Sequence, residues 1–565
     1  MKKRRRFHHL LHVFCAVFVL LSAGSPADVQ AQTRDDVRLV LQVTVDGLRA
    51  DLLDRYRKGF GKGGFEILLE KGAYYANAHY QHANTETIVG HTILATGTFP
   101  SQHGMVGNVW FDHDAGELAY NIEDPDHPLL PTRENEQQGE QVDPAQKKSR
   151  TQGRSPAVIL TPTFSDGLAA YYGGRSKVFG VSGKDRAAVS MAGHVGKAFW
   201  FSTNTGDFVS STYYYEAYPE WVRDWNAQRR AEGFSGKSWA LLNDPSTYLL
   251  ADQDDRPYEA DLKGYGRVFP HPFGQAEDGL FNTRILVSPV GDQLLLDFSK
   301  ALIINEQIGK DKFPDYLSVS FSAVDAVNHF FGPSSLENED VIVQLDRTLV
   351  DLFEFIEERV GLKHTLIVLS ADHGMAEMPE YMTGLGYRAG RLDPDEIVAA
   401  ANKAGQEFGV EEIVRFFYRP YVYLNDAKIA KAGLDRTKVE QAVADSVTAL
   451  DGISLAVPTT GLSTKHTNPL VDQVRRNHHL TRSGDIYVIQ EPYWFLFDKG
   501  PVTAMHGSPW RYDTHVPIFF MGPGIEPRTV HRLVHPVDVA PTMSAFLGMT
   551  SPGSAQGSPL KEVLE

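Results

Sequence analysis

Six acidic or imidazole side chains and one threonine hydroxyl stand where this sequence predicts that strands end or a helix begins. Thr87 opens an apolar, glycine-containing run, Thr-Ile-Val-Gly-His-Thr-Ile-Leu. The six other side chains are those of Asp46, Asp325, His329, Asp372, His373 and His506. Carboxylate oxygens and imidazole nitrogens without thiolates suit a hydrolytic zinc pair. Because a hydroxyl beside two such ions is an activated nucleophile, the set predicts phosphoryl transfer.

Each of these motifs is weak when it is taken alone. The Asp372-His373 pair follows an apolar run and could be an ordinary turn. Asp325 and His329 are one helical turn apart, which suits one metal ion, but a capping aspartate with an unrelated histidine fits equally well. The other two candidates, an Asp-Gly turn and a loop histidine, have equally simple explanations. Only the joint occurrence of the motifs favours a metal site.

Thr87 has a structural alternative to a catalytic role. A threonine that opens a helix is by default an N-cap worth about 1 kcal/mol. The same position also offers phosphate the free N–H groups and the positive end of the helix. Thr85 is a competing hydroxyl, and the residues alone do not decide between the two. His91 falls one turn into the predicted helix, where we expect it to pack behind the site rather than to bind metal.

A basic turn and an asparagine are candidate phosphate contacts. Lys184 and Arg186 follow the strand-like run 177–181, and two cations at one turn could hold a phosphoryl group. Asn108 lies in a loop-like Gly-Asn-Val-Trp segment and could donate to a phosphoryl oxygen. Taken singly, an exposed basic turn is the simpler interpretation of the first motif, and a turn-forming asparagine accounts for the second.

The elements that must position these residues form a repeating pattern. Apolar runs at 38–45, 177–183, 316–325, 365–372 and 516–521 are followed by polar residues and helix-like stretches. Buried strands that alternate with helices predict an α/β fold with a mostly parallel central sheet and helices on both faces. Ligands bind at the carboxyl ends of strands in such sheets, and three of the candidate aspartates lie there.

Two long segments interrupt this pattern in what we expect to be one catalytic domain, residues 32–565. The segment at roughly 200–300 is rich in Tyr, Trp, Pro and Asp and predicts an inserted cap. The segment at roughly 378–495 mixes helix-like and strand-like pieces and predicts an α+β subdomain. The Gln-rich segment 134–154 has no apolar period and predicts a mobile loop.

The N-terminus and the composition predict an exported protein. Basic residues at 2–6, an apolar run at 10–21 and Val-Gln-Ala ending at Ala31 form a secretory signal for the periplasm or the exterior. A membrane anchor is disfavoured because the run is short and a cleavage site follows it. Cleavage would remove the only cysteine, Cys15. Since residues 1–31 carry five basic residues and one acid, the formal charge would fall from −16 to −20, which is poorly suited to a nucleic-acid partner.

The ordered motifs resemble those of secreted, threonine-nucleophile alkaline phosphatases of Gram-negative bacteria. That family belongs to the alkaline phosphatase superfamily, near the nucleotide pyrophosphatase/phosphodiesterases. The resemblance covers nearly all of the mature chain. The matching motifs are Asp46-Gly, Thr87 in Thr-Ile-Val-Gly-His-Thr, Gly-Asn108-x-Trp, Gly-Lys184-Asp-Arg186, Asp325-x-x-x-His329, Asp372-His-Gly and His506-Gly-Ser followed by Asp513-Thr-His-Val-Pro.

The resemblance implies two zinc ions and a role for each candidate residue. One zinc ion would be held by Asp325, His329 and His506, and the other by Asp46, Asp372 and His373. The resemblance also implies that Thr87 rather than Thr85 is the nucleophile beside the ions. Asn108, Lys184 and Arg186 would contact phosphate. The chain departs from the family where Ile88 and Val89 replace its usual Ala-Pro, which changes no expected ligand.

We therefore expect an exported alkaline phosphatase that hydrolyses small phosphate monoesters through a phosphothreonine intermediate. We expect it to act as a monomer with no stable membrane anchor. A phosphodiesterase or nucleotide pyrophosphatase with the same metals and nucleophile is the main alternative. A sulfatase is a remote alternative, because a threonine stands in the nucleophile's place. An inactive metal- or phosphate-binding protein is also remote, because the nucleophile and all six ligands are present. The acidic segment 252–255 could bind calcium or be a solvated loop.

Overall fold

The computed structural model describes residues 36–133, 142–462, 465–496 and 500–565. The expected signal segment 1–31 lies outside the described residues, as do residues 134–141 of the expected loop. None of the helices in the described ranges is both long and apolar enough to cross a bilayer.

The described residues contain nineteen strands. They are β1 Leu39–Val45, β2 Ala73–His79, β3 Val109–Asp112, β4 Glu117–Tyr120, β5 Val178–Ser182, β6 Lys197–Phe201, β7 Phe208–Val209, β8 Ser238–Trp239, β9 His271–Pro272, β10 Asp315–Phe321, β11 Thr365–Ser370, β12 Gly390–Leu392, β13 Val414–Tyr418, β14 Tyr421–Leu424, β15 Ile453–Pro458, β16 Ile486–Gln490, β17 Trp494–Leu496, β18 His515–Met521 and β19 Arg528–Val530.

The same ranges contain nineteen α-helices besides short 3-10 turns. They are α1 Ala50–Arg55, α2 Phe65–Lys71, α3 Thr87–Thr96, α4 Pro100–His103, α5 Phe164–Tyr171, α6 Asp185–Ala192, α7 Glu220–Ala227, α8 Phe281–Leu286, α9 Pro289–Asn305, α10 Ala323–Phe331, α11 Leu336–Arg359, α12 Pro379–Gly384, α13 Pro394–Glu407, α14 Asp426–Lys431, α15 Arg436–Thr448, α16 Pro469–Asn477, α17 Arg511–Thr514, α18 Val539–Phe546 and α19 Lys561–Leu564.

Nine strands form the central sheet, in the order β19-β2-β18-β11-β1-β10-β5-β6-β7. The five strands from β11 to β6 pair in parallel. Strand β18 pairs antiparallel with both β11 and β2, and β7 pairs antiparallel with β6. The predicted mostly parallel sheet is therefore confirmed, although β18, which the apolar run 516–521 placed in the parallel pattern, runs in the opposite direction.

The alternation of side chains along the central strands explains why helices cover both faces of the sheet. Leu41 and Val43 of β1 pack in an apolar cluster with residues of α9, α10 and α11. Val40, which points to the other face, packs in a second cluster with residues of α5 and α18. Both faces are buried, as expected for parallel strands with nearly continuous apolar sequences.

The two long interrupting segments contain elements of their own. Residues 200–300 contain α7, the short β8–β9 pair and α8 before the long helix α9 begins. Residues 378–495 contain a four-stranded sheet in the order β13-β14-β16-β15, whose neighbouring strands are antiparallel. Helices α13 and α15 pack on that sheet around an apolar cluster separate from the central core.

Candidate active site

The carboxyl ends of three adjacent strands bring the candidate aspartates together. Strand β1 lies between β10 and β11, and Asp46 follows β1 directly. Asp325 lies in the first turn of α10, which follows β10, and Asp372 lies two residues beyond β11. The main chain must approach closely here. A Cβ on Gly47, whose φ is +74°, would lie 3.0 Å from the Cβ of Asp325, so glycine is required.

All six candidate ligands meet in this space. Buried donor atoms that lie within 4.8 Å of one another form two groups, Asp46–Asp372–His373 and Asp325–His373–His506. The second group contains His373 where the family resemblance implies His329. The ring of His329 is nevertheless close by, because its Nε2 lies 3.3 Å from Oδ2 of Asp325. The rings of His373 and His506 stack with centroids 3.5 Å apart.

Each of the three histidines is oriented as a metal ligand. Nδ1 of His329 donates to the carbonyl of Ala504 at 2.9 Å, and Nδ1 of His506 donates to that of Thr85 at 2.8 Å. Nδ1 of His373 donates to the carbonyl of Gly374 at 2.8 Å. A carbonyl only accepts, so the hydrogen sits on Nδ1 and Nε2 faces the carboxylates. Such bonds fix the tautomer and the ring orientation of metal-binding histidines.

The donor set fits divalent cations. Asp46, Asp325 and Asp372 are fully buried. Oδ1 of Asp325 and Oδ2 of Asp372 accept no hydrogen bond within the described part of the chain. A buried carboxylate oxygen without a partner is disfavoured, so a cation bound at these oxygens would be stabilising. Carboxylates and imidazoles without thiolates match the ligand preference of hydrolytic zinc.

Basic groups counter part of this negative charge. Nζ of Lys184 lies 2.8 Å from Oδ2 of Asp46 and also pairs with Asp325. Burial lowers the pKa of Lys184, but the two carboxylates outweigh burial and raise it above its usual value. Burial likewise disfavours the charged form of His373, yet Asp372 and Asp46 raise its pKa to about 10. The cluster of carboxylates therefore attracts positive charge strongly.

Thr87 places its hydroxyl beside the donors. Glu86 is the N-cap of α3, so Thr87 is the first helical residue and its side chain does not cap the helix. Oγ1 of Thr87 lies 3.4 Å from Nε2 of His373. The competing hydroxyl of Thr85 donates to the carbonyl of Ser508 at 2.9 Å, outside the helix.

His91 and Gly90 lock α3 against the end of β11. Nδ1 of His91 lies 2.9 Å from the carbonyl of Thr87 and 3.1 Å from Oδ2 of Asp372, and its Nε2 lies 2.9 Å from Oγ of Ser320. A Cβ on Gly90 would lie 1.9 Å from the carbonyl oxygen of Asp372, so only glycine allows this packing. The ring of His91 therefore sits behind the donors, as the sequence predicts.

The three candidate phosphate contacts line one cavity with some of the candidate metal ligands. Asn108, Lys184 and Arg186 share this cavity with His329 and His506. Oδ1 of Asn108 accepts from the N–H of Ile88 in the first turn of α3. Its side-chain amide is thereby fixed beside Thr87.

The structure adds residues that the sequence did not single out. Oε2 of Glu86 accepts from the N–H of Asn108 at 2.5 Å, and Oδ2 of Asp143 accepts from Nη1 of Arg186 at 2.7 Å. No sequence signal distinguished Glu86, and nothing in the polar segment around Asp143 pointed to the site. The acidic segment 252–255 is not part of either donor group among the described residues, and its Asp255 pairs with Arg267, which favours the solvated-loop alternative.

The fold and the site define a class of protein: an α/β protein with a buried, two-part cluster of candidate metal donors at the carboxyl edge of a mostly parallel sheet. The chain belongs to the type I phosphodiesterase/nucleotide pyrophosphatase family, whose model matches residues 40–509. This assignment confirms that the motifs identify a true relationship.

Several characterised proteins are similar over almost the whole chain. The alkaline phosphatase PafA of Elizabethkingia meningoseptica is 32% identical, with 93% of this chain and 94% of the relative covered. Alkaline phosphatase PhoV of Synechococcus elongatus is also 32% identical, with 94% of each chain covered. A Myroides odoratus protein named calcium-transporting ATPase is 30% identical, with 94% and 95% covered.

The fold matches a solved structure of the same type. The crystal structure of alkaline phosphatase PafA superposes with a TM-score of 0.84 at 30% identity, covering 94% of this chain and 99% of that one. A solved variant of that enzyme carries substitutions of one threonine, one asparagine, one lysine and one arginine.

Proposed function

We propose that the protein is an exported alkaline phosphatase that hydrolyses phosphate monoesters through a covalent phosphothreonine at Thr87. One observation carries the proposal. The hydroxyl of Thr87 lies 3.4 Å from Nε2 of His373, and the Nε2 atoms of His373, His329 and His506 each lie beside a carboxylate of the buried Asp46, Asp325 and Asp372 cluster. The similarity to two proteins named alkaline phosphatases over almost the whole chain supports it.

The donor geometry and the family resemblance together support an assignment of the cations. Asp46, Asp372 and His373 would hold one zinc ion beside Thr87, and Asp325, His329 and His506 would hold the second. Zinc bound there would lower the pKa of the threonine hydroxyl and of an attacking water, and would offset charge on the leaving oxygen.

The chain's own groups orient the reaction. Thr87 gives up its hydroxyl proton to solvent, and Oγ1 forms a bond to phosphorus while the bond from phosphorus to the leaving alkoxide breaks; the alkoxide takes a proton from water. The side-chain amide of Asn108 and the cations of Lys184 and Arg186 hold the other phosphoryl oxygens. In the second step a water molecule loses a proton to solvent and its oxygen bonds to phosphorus, the bond from phosphorus to Oγ1 breaks, and Oγ1 takes up a proton to restore the threonine. His91 holds Asp372 and the first turn of α3 in place throughout.

The monoester preference rests on the cations. A monoester presents a dianionic group, whereas a diester has a second organic group on one of those oxygens. Lys184 and Arg186 therefore gain more from a monoester. The related PafA variant replaces the same four residue types as Thr87, Asn108, Lys184 and Arg186. Because the family also contains phosphodiesterases, hydrolysis of diesters with the same nucleophile is the alternative function.

We also propose that the protein is exported and acts as a monomer. The basic cluster, the apolar run and Val-Gln-Ala predict cleavage after Ala31. The mass of the exported chain would test this, and a product that retained Cys15 would contradict it. We infer that the substrates are small phosphate monoesters and that neither nucleic acid nor a stable membrane anchor is involved.

Trapping of the phosphoenzyme tests the nucleophile directly. Thr87→Ala should abolish the covalent intermediate because it removes the attacking oxygen, and Thr87→Ser should keep activity because it retains that oxygen. Thr85→Ala is the matched control, since its hydroxyl donates to Ser508 outside the helix. Acid-quenched enzyme would be digested and the phosphopeptide sequenced. Phosphate on Thr85, or an unimpaired Thr87→Ala variant, would exclude the proposal.

A further inference from the structure

A segment outside the central sheet forms one wall of the phosphate cavity. We call residues 142–154 the strap. Val142, Asp143 and Pro144 of the strap line the cavity together with Lys184 and Arg186. From the sequence, this part of the chain was expected to be a mobile loop.

Polar contacts hold the strap against the end of β5 and the start of α6. Oδ2 of Asp143 accepts a hydrogen bond from Nη1 of Arg186 at 2.7 Å. Nε of Arg154 and Nε2 of Gln146 donate to the carboxylate of Asp185, at 2.7 Å and 2.9 Å. The strap is thus tied to both of the residues that open α6.

The contact with Asp143 uses one end of the Arg186 guanidinium. Arg186 is only 3% exposed, and its Nη1 also lies 3.4 Å from the hydroxyl of Tyr120. Its Nε is buried without a hydrogen-bond partner, and its Nη2 donates no hydrogen bond to a residue in the described part of the chain. The guanidinium is a planar fork, and two adjacent N–H groups can bind two oxygens of one phosphoryl group.

Asp143 remains charged beside this arginine. Burial raises the pKa of Asp143, but Arg186 and Lys184 outweigh burial and lower it to about 2. At neutral and alkaline pH the contact therefore joins a carboxylate to a guanidinium. Such contacts are stronger and more directional than neutral hydrogen bonds.

We infer that Asp143 is a positioning residue: it occupies Nη1 of Arg186 and turns the Nε–Nη2 edge of the guanidinium toward the phosphoryl oxygens of the substrate. The inference rests on the proposed role of Arg186 in binding phosphate. It gives the strap a part in the selection of monoesters. A guanidinium that is free to rotate would satisfy its donors with water and would bind two phosphoryl oxygens less often.

A purely structural role for Asp143 makes a different prediction. If Asp143 only held the strap in place through Arg186, its loss would disturb the cavity wall as much as the loss of that arginine would. It would also affect monoesters and diesters alike. A double-mutant cycle with Arg186 shows whether Asp143 acts through that arginine. The comparison of a monoester with a diester then separates the two roles, because positioning requires a larger loss on the monoester and equal losses on both substrates would indicate tethering alone.

The experiment compares Asp143→Ala and Asp143→Asn in the full-length, metal-loaded enzyme, with and without Arg186→Ala. Loss of a partner that orients a metal ligand costs about ten- to a hundredfold, and by analogy Asp143→Ala should lower kcat/KM for p-nitrophenyl phosphate about tenfold or more. Asp143→Asn keeps an acceptor oxygen and should retain more activity. The loss on bis-p-nitrophenyl phosphate should be several-fold smaller. In the Arg186→Ala background, Asp143→Ala should have almost no further effect.

Glu117→Ala is the control within the same region. Glu117 pairs with Arg150 of the strap at 3.1 Å and makes no contact with Arg186, so kcat/KM should stay close to that of the unaltered enzyme. Equal losses from Asp143→Ala with and without Arg186, or no loss at all, would overturn the inference. If Asp143→Ala fails to fold, the Asp143→Asn cycle gives the same comparison. An Arg186→Ala enzyme with full monoester activity would contradict the proposed phosphate site itself, and the inference with it.

Discussion

Substitution of the two cations should separate monoester from diester hydrolysis. Arg186 contributes an edge whose two donors make no hydrogen bond among the described residues, so its loss removes contacts with substrate and little else from that edge. A hydrogen bond to a charged group is worth about 1.5–3 kcal/mol, which corresponds to about ten- to a hundredfold in rate. Arg186→Ala should therefore lower monoester kcat/KM by that factor and diester kcat/KM much less.

A Lys184 variant requires a zinc determination beside the activity assay, because the ammonium group of Lys184 contacts two candidate metal ligands. It pairs with Asp46 and Asp325, which belong to different metal groups. Lys184→Ala therefore removes a counter-charge from both carboxylates as well as a phosphate contact. The double variant Lys184→Ala/Arg186→Ala should lose more monoester kcat/KM than Arg186→Ala alone. The bound zinc must be measured at the same time to show that both ions remain.

The assay compares p-nitrophenyl phosphate with bis-p-nitrophenyl phosphate at the same leaving group, with zinc determined by elemental analysis. We expect the double variant to lose at least tenfold more on the monoester than on the diester, a difference of about 1.4 kcal/mol. Equal losses on the two substrates, with zinc content unchanged, would refute the reasoning. The two residues would then merely support the fold, and the diesterase alternative would regain weight.

Two further predictions follow from the buried carboxylates. Asp325→Ala and His373→Ala should each lose most activity and about one bound zinc ion, because each removes one of a few ligands; full zinc content in both variants would rule out their assignment. Burial and the charge of Glu337 raise the pKa of Glu259 from 4.5 to about 9, so folding is favoured when Glu259 is protonated, and that stability is lost as pH rises from 4.5 toward 9. Glu259→Gln should therefore raise the melting temperature by one to a few degrees at pH 9 and have little effect at pH 4; a thermal melt with the reverse order would exclude this.

The local sequence pattern was sufficient to predict the site residues that follow the ends of strands. Asp46 and Asp372 follow continuous apolar runs, and in a parallel sheet such positions converge on one edge whatever the details of packing. Asp325 and His329 were recoverable because α10 does begin just after β10, which puts the pair on one face of the helix.

Other features depend on packing that a local pattern does not contain. A buried strand has the same apolar sequence in either direction, so the run at 516–521 did not reveal that β18 is antiparallel to its neighbours. The choice between Thr85 and Thr87 depends on where α3 begins, and a helix start is uncertain by a residue or two in sequence. Asp143 lies in a polar segment without period, and only the folded chain shows its contact with Arg186.

The charges of the assembled site explain how so acidic a protein selects a dianion. Asp46, Asp325, Asp372 and Asp143 contribute four negative charges, and Lys184 and Arg186 contribute two positive charges. Two divalent ions would therefore leave the cavity with a net charge of about two positive, if the histidines are neutral ligands. A phosphate monoester dianion neutralises that charge completely, whereas a diester anion neutralises half of it. Asp143 matters to this balance, because without its charge the same cavity would carry an excess that a dianion does not cancel.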